Sequence, residues 1–286
     1  MKNNQKMLDY GKGNIVLKRL QLPLFFLMAF IISWAIWIPQ AAATLGICKS
    51  AISIESALNL IAVWGPGLAA IILSVLAKSK EGAKKLFRPI KYWRVGIHWY
   101  IFVLFYPISK WLVAYIIDTL LGQSYKLGSS PILSFFNLPE QAIMIPIAVV
   151  STFLNTLGEE VGWRGFALPK LQVKYTAFVS TIIIGLFWGF WHIPMWIAQG
   201  YMDLSLLHII TKTLSIVPLA IIFTWVYNST KGSLLLVWLF HASITITGYF
   251  APSLPTTTEE ILSWVVAIII VIVAGLTHLS RKKRIT

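Results

Sequence analysis

Charge is scarce in this 286-residue chain: Asp, Glu, Lys and Arg together make up 12% of it, and only ten residues are acidic. Soluble domains carry about 25%. Hydrophobic residues reach 57%, more than a water-soluble protein of this length can hide from solvent. A bilayer is therefore the natural solvent. There is one cysteine, Cys48, which excludes an internal disulfide and any site built from paired cysteines. No glycine-rich phosphate loop occurs, and no HExxH pair of zinc-binding histidines. The formal charge of +14 would suggest a nucleic-acid partner in a soluble protein. Here the placement of the charges argues for membrane topology instead, so no nucleic acid is expected.

Apolar sequence is abundant. A helix needs about 20 mostly apolar residues to cross the hydrocarbon core. Eight stretches qualify, near 22–46, 57–77, 99–121, 143–165, 176–199, 206–227, 232–250 and 261–279. None alternates as the strands of a barrel would, so the expected fold is all-α and polytopic, a single transmembrane domain over 1–286. The first stretch follows Lys18 and Arg19 and ends near Ala41-Ala42-Ala43. That resembles a signal peptide, but its apolar core is too long for one, and a retained helix is expected. The 13 tryptophans and 10 tyrosines suit the two membrane interfaces.

The basic residues divide sharply between the two sides. Five lie in the N-terminal tail, seven between Lys78 and Arg94, three between Arg164 and Lys174, one at Lys231 and four from Arg281 to Arg284. These twenty of 24 fall on one side of an eight-span arrangement. The opposite connections hold Lys49 and Lys126. The positive-inside rule then predicts an even number of spans and an integral plasma-membrane protein with both termini cytoplasmic. The segment 78–98 is basic with interspersed aromatics and is expected to lie, partly helical, along the cytoplasmic interface.

Ionisable side chains inside spans are costly and point to function. Asp118 and Lys212 lie near helix ends and can reach water, and Lys110 pairs with an acid or lines a cavity. His98, His208 and His278 are interfacial. The stretch TLGEEVGWRG, residues 156–165, is harder to dismiss. Residues four apart share a helix face, so Glu160 pairs with Arg164 while Glu159 points elsewhere, without a charge partner. A carboxylate in a low-dielectric wall has the basicity that a general base needs at neutral pH. His192 stands one turn after Trp188 and shortly before Pro194, and His241 one turn before Thr245. One Glu and two His on three helices are most economically compensated by facing one another. Such a set supports two chemistries. Glu159 and His192 can activate a water for attack on an amide carbonyl, with His241 and Thr245 donating to the oxyanion. Alternatively Glu159, His192 and His241 hold a zinc ion that activates the water. Counted at about 1.5 Å per residue, Glu159 and His192 fall at different depths. Continuing the fourth helix to about Leu168 and starting the fifth nearer Ser180 brings them level.

With these residues the chain resembles the CAAX-protease and bacteriocin-processing (Abi) family of intramembrane proteases. That family includes type II CAAX prenyl endopeptidases and lysostaphin-resistance-protein-A-like proteins. Its EExxxR motif is matched by Glu159, Glu160 and Arg164, and its FxxxH motif by Trp188 to His192 with Trp in place of Phe. Its HxxxN/D motif is matched by His241, but with Thr245 in the fourth position. The resemblance covers about 140–250. It implies eight helices around a cavity open to the cytosol and endopeptidase activity on a peptide or protein in the membrane. It also implies catalytic roles for Glu159, His192, His241 and the residue at 245, with Glu160 and Arg164 supporting. Threonine supplies a hydroxyl donor but no carboxylate or carboxamide oxygen, which favours a site without a fixed metal. The rival reading is a non-catalytic bacteriocin-immunity protein or membrane scaffold, in which the polar cluster binds a partner helix. A transporter would show broken helices in paired halves, and no such symmetry is visible.

Overall fold

The structure, a computed structural model, describes residues 2–49, 57–123, 144–251, 254 and 256–280. Within them there are helices and turns and no strand. In chain order the helices are α1 (Lys2–Thr44), α2 (Leu58–Val63), α3 (Gly65–Phe87), α4 (Ile97–Leu120), α5 (Met144–Glu160), α6 (Leu168–Leu171), α7 (Ala177–Ala198), α8 (Leu206–Ser229), α9 (Leu234–Phe250) and α10 (Thr256–Ala274). A short 3-10 turn, Arg88–Lys91, follows α3, and a π-helical turn, Val161–Ala167, joins α5 to α6.

Five helices among the described residues are long and apolar enough to cross a bilayer: Leu20–Thr44 within α1, then α4, α7, α8 and Thr257–Ala274 within α10. The protein is an integral membrane protein. The expected count of eight is not confirmed, and each of the other three stretches departs from a long uninterrupted apolar helix in its own way. The 57–77 stretch breaks at Trp64, and the apolar part of α3 is Gly65–Ala77. The 143–165 stretch is α-helical over the described residues Met144–Glu160 and then passes into the π-helical turn, with two glutamates and an arginine near that junction. The 232–250 stretch yields α9, also 17 residues. Among the expected boundaries, the fourth stretch runs on to Leu171, slightly beyond the expected Leu168. The start of α7 is Ala177 and not Ser180, because Thr176 caps the helix by accepting from the Val179 amide at 3.3 Å. The basic segment is helical to Phe87 and then tightens into the 3-10 turn. Arg281 to Arg284 lie outside the described residues.

In lipid, helices gain little from burying apolar surface against one another, so close packing and polar contacts hold the bundle together. Small residues supply the closeness. A Cβ on Gly189 would lie 2.5 Å from the Thr213 carbonyl oxygen, and one on Gly185 3.0 Å from Val217 Cα. These two glycines let α7 press against α8. Aromatic rings fill the centre: Phe25 meets Trp163 edge-on at 5.5 Å and Phe166 face-on at 5.2 Å, and Trp163 meets Trp191 at 6.0 Å. Polar pins join the elements. Ser33 Oγ accepts from Trp191 Nε1 at 2.8 Å and lies 2.6 Å from the Ala62 carbonyl, tying α1, α2 and α7 together. Ser233 caps α9 and donates to the Tyr92 carbonyl at 2.7 Å.

The charged residues of the outlying helices are paired. Lys110 meets Glu259 at 3.0 Å and Lys212 meets Glu260 at 3.8 Å, while the Thr258 hydroxyl donates to Asp118. Asp118 is buried and does not reach water as the sequence suggested. Lys110 both pairs with an acid and lines a cavity of about 390 Å³ between α4, α8, α9 and α10.

Candidate active site

Residues 161–167, just after Glu159 and Glu160, leave the ordinary helical path. Gly158 and Gly162 stand one turn apart, and α3 approaches them directly. A Cβ on Gly67 would sit 2.6 Å from the Gly158 carbonyl oxygen, and one on Gly162 would collide with Pro66. The sequence Gly65-Pro66-Gly67 thus wedges the start of α3 against the two glycines that flank Glu159. The π-helical turn beginning at Val161 changes the phase of the side chains beyond it, as π-turns often do at functional sites.

Glu159 is 6% exposed and projects toward α7. Its Oε2 accepts from Trp188 Nε1 at 2.7 Å and lies 3.8 Å from His192 Nε2. That second distance is too long for a direct hydrogen bond and suits a bridging water. His192 Nδ1 lies 2.8 Å from the Trp188 carbonyl oxygen. A carbonyl only accepts, so Nδ1 carries the hydrogen and Nε2, facing Glu159, is left bare in the neutral ring. The ring is held on two sides, by Trp196 stacked at 5.0 Å and by Trp191 edge-on at 4.7 Å.

Glu160 and Arg164 are fully buried. Arg164 Nη1 donates to Glu160 Oε1 at 2.9 Å, and the guanidinium lies between the Trp188 and Phe223 rings, 4.2 Å from each centroid. Arg164 Nε and Nη2 make no protein hydrogen bond. This is the pairing expected from the four-residue spacing. The same Glu160 oxygen accepts from His241 Nδ1 at 2.8 Å. A buried carboxylate therefore fixes the orientation and tautomer of His241, leaving Nε2 on the far edge of the ring. His241 also contacts Trp188 edge-on at 5.5 Å.

Six of the seven residues singled out from the sequence thus join into one connected cluster, with Trp188 at its centre. The grouping differs from the sequence reading in one respect: His241 is anchored by Glu160, not by Glu159. The seventh, Thr245, turns its hydroxyl back to the His241 carbonyl at 3.2 Å. No group of three His, Cys, Asp or Glu side chains among the described residues is gathered closely enough to hold a metal ion. The glutamate oxygen nearest His192 is already bonded to an indole N–H. The donor set, as placed, does not fit a zinc ion bound by Glu159, His192 and His241. The sequence reading passed over Trp191, Trp196, Phe223 and the Gly65-Pro66-Gly67 wedge. The small-xxx-small spacings Gly158/Gly162 and Gly185/Gly189 were a legible signal of close helix contact.

Comparison with known proteins places the similarity on this same segment. Residues 141–247 match the family model described as Type II CAAX prenyl endopeptidase Rce1-like. A curated protein named CAAX prenyl protease 2, from Methanococcus maripaludis, is 36% identical over 93 residues. The aligned part is 31% of this chain and 34% of that protein. The chain thus matches about a third of its curated relative's length, and the family-model segment 141–247 contains every residue of the cluster.

Proposed function

We propose, from the Rce1-like match over 141–247, that this protein is an intramembrane endopeptidase that cleaves a membrane-associated peptide with a water activated by Glu159. The observation that carries the reading is the bare His192 Nε2 facing Glu159 Oε2 across 3.8 Å. A water in that gap is polarised from both sides. Glu159 takes its proton as the oxygen attacks the scissile carbonyl. His241, held at Nδ1 by Glu160, donates from Nε2 to the resulting oxyanion. Collapse of the tetrahedral intermediate breaks the C–N bond, and the proton on Glu159 passes to the leaving amine. Trp188 fixes the Glu159 oxygen, and Arg164 neutralises Glu160. Thr245, bonded to its own helix, has no part in this sequence of steps. No step is routed through a metal.

The substrate is a prenylated CAAX-type C-terminus or a leader peptide, entering from the cytoplasmic side where the basic segments lie. The test uses purified protein and peptide substrates of both kinds, with and without a chelator. Glu159→Gln should lower the rate at least about 10³-fold, a loss typical of removing a general base, with the thermal transition unchanged. Chelation should leave the wild-type rate intact. Wild-type turnover by the glutamine variant would end this mechanism. One observation favours a non-hydrolytic relative: the Thr245 hydroxyl turns away from the cluster to the His241 carbonyl. In that case a cellular phenotype would survive in both the Glu159 and the His192 variants.

A further inference from the structure

Asn155 stands one turn before Glu159 on α5 and takes no part in the cluster described above. It is half-buried in the body of an apolar helix. Its carboxamide meets no hydrogen-bonding partner among the described residues. The other polar side chains on the inner face of α5 are bonded. Thr152 donates to the Ala148 carbonyl at 2.8 Å, and Thr156 to the Thr152 carbonyl at 2.8 Å. Glu159 accepts from Trp188, and Glu160 holds Arg164 and His241. An amide partly withdrawn from water without a partner is destabilising, and a polar side chain in such a helix points to function.

Successive residues of an α-helix turn by about 100° and rise about 1.5 Å. Asn155 therefore falls about 40° from Glu159 around α5 and about 6 Å from it along the axis. Glu160 lies about 100° from Glu159 in the opposite sense. Asn155 is thus on the flank of Glu159 away from Glu160, and away from His241, which Glu160 anchors. That flank is the wrong one for a second donor to the oxyanion. What the carboxamide offers is an acceptor and a donor in one plane, the complement of a peptide group. An extended chain advances about 3.3 Å per residue, so about 6 Å corresponds to about two residues of bound peptide.

We infer that Asn155 is a substrate-binding residue whose carboxamide hydrogen-bonds the backbone of the peptide, about two residues from the scissile bond. The inference rests on the protease reading and adds a contact to it. A bond to the backbone reads no side chain, so it serves prenylated and leader peptides alike. It is present both before and during the chemical step, so it lowers KM without changing kcat.

The test is steady-state cleavage by the purified full-length protein, with a prenylated CAAX peptide and an unprenylated leader peptide. Asn155→Ala should raise KM about five-fold for the cleaved peptide, the worth of one neutral hydrogen bond, and leave kcat within about two-fold. Asn155→Leu keeps the volume and removes both polar atoms. It should show the same kinetics with an unchanged thermal transition. A second set of peptides replaces the backbone N–H groups near the scissile bond, one at a time, by an ester oxygen, and keeps the scissile amide intact. One of these esters should raise the wild-type KM about five-fold and leave that of Asn155→Ala unchanged. A residue that only shapes the helix would make the two effects add. An unchanged KM in both variants, a loss confined to kcat, or additive effects for every ester would each overturn the inference and leave the protease reading intact. A wild-type protein that cleaves neither peptide would overturn both.

Discussion

Trp188 performs three tasks with one side chain and one carbonyl. Its indole N–H bonds Glu159, its ring lies against the Arg164 guanidinium, and its backbone oxygen sets the tautomer of His192. These tasks separate on substitution. Trp188→Phe keeps an aromatic face and the carbonyl but removes the donor. A hydrogen bond to a charged group contributes about 1.5–3 kcal/mol, so kcat should fall about ten- to 100-fold with KM and thermal stability little changed. Trp188→Ala also removes the ring from Arg164 and should lower the melting temperature as well. Steady-state kinetics and thermal unfolding of the two variants check this. Equal kinetics for the phenylalanine variant and the wild type would show that the indole N–H does not hold the base.

Among the elements, the contact that matters most for the cluster is between α3 and the turn after α5. There is no room at this contact for a side chain of any size, because the opposing atoms are backbone or proline ring. Gly67→Ala or Gly162→Ala must push α3 away from the end of α5, which presents Glu159, and from the turn that follows it. Overpacking of this kind costs about 1–3 kcal/mol, which in a protein of this size lowers the melting temperature by roughly 2–10 °C. Activity should fall with it, since Glu159 moves relative to His192. Gly248→Ala is the matched control: nothing lies within 4 Å of the new methyl, and alanine is the better helix former. Thermal unfolding of the three variants in detergent decides it. Two destabilised variants and one neutral or slightly stabilised one is the expected result.

For the whole molecule, the distribution of basic residues makes a topological prediction that a single native thiol can test. Cys48 is exposed just beyond α1, at the end opposite Lys84, Lys85 and Lys170 by the charge pattern. In intact cells Cys48 should react with a membrane-impermeant maleimide. A cysteine placed at Lys84, in a Cys48→Ser background, should react only after the cells are opened. The reverse labelling would invert the orientation and, with it, the side from which substrate reaches the cluster. On the outlying side, Lys110–Glu259 and Lys212–Glu260 join α4 and α8 to α10, so charged residues within spans here serve assembly.

Helix class, membrane residence and the identity of the polar cluster were legible from local facts. Long uncharged runs force backbone hydrogen bonding into helices, and an uncompensated Glu or His in such a run demands a partner. Even the Glu160–Arg164 pair follows from a four-residue spacing along one helix. The partner of His241 had no such local signal: Glu160 and Glu159 are adjacent in the chain, and which of them faces α9 depends on how α5 is rotated against its neighbours. That rotation is set where backbone meets backbone, at Pro66 and Gly67 against Gly158 and Gly162, and a contact between distant segments leaves no periodicity in either of them. Where the apolar runs change course was illegible for a related reason: hydropathy registers how apolar a stretch is, but not that Trp64 divides one such stretch or that the run through Glu159 and Glu160 passes into a π-helical turn and on to Leu171.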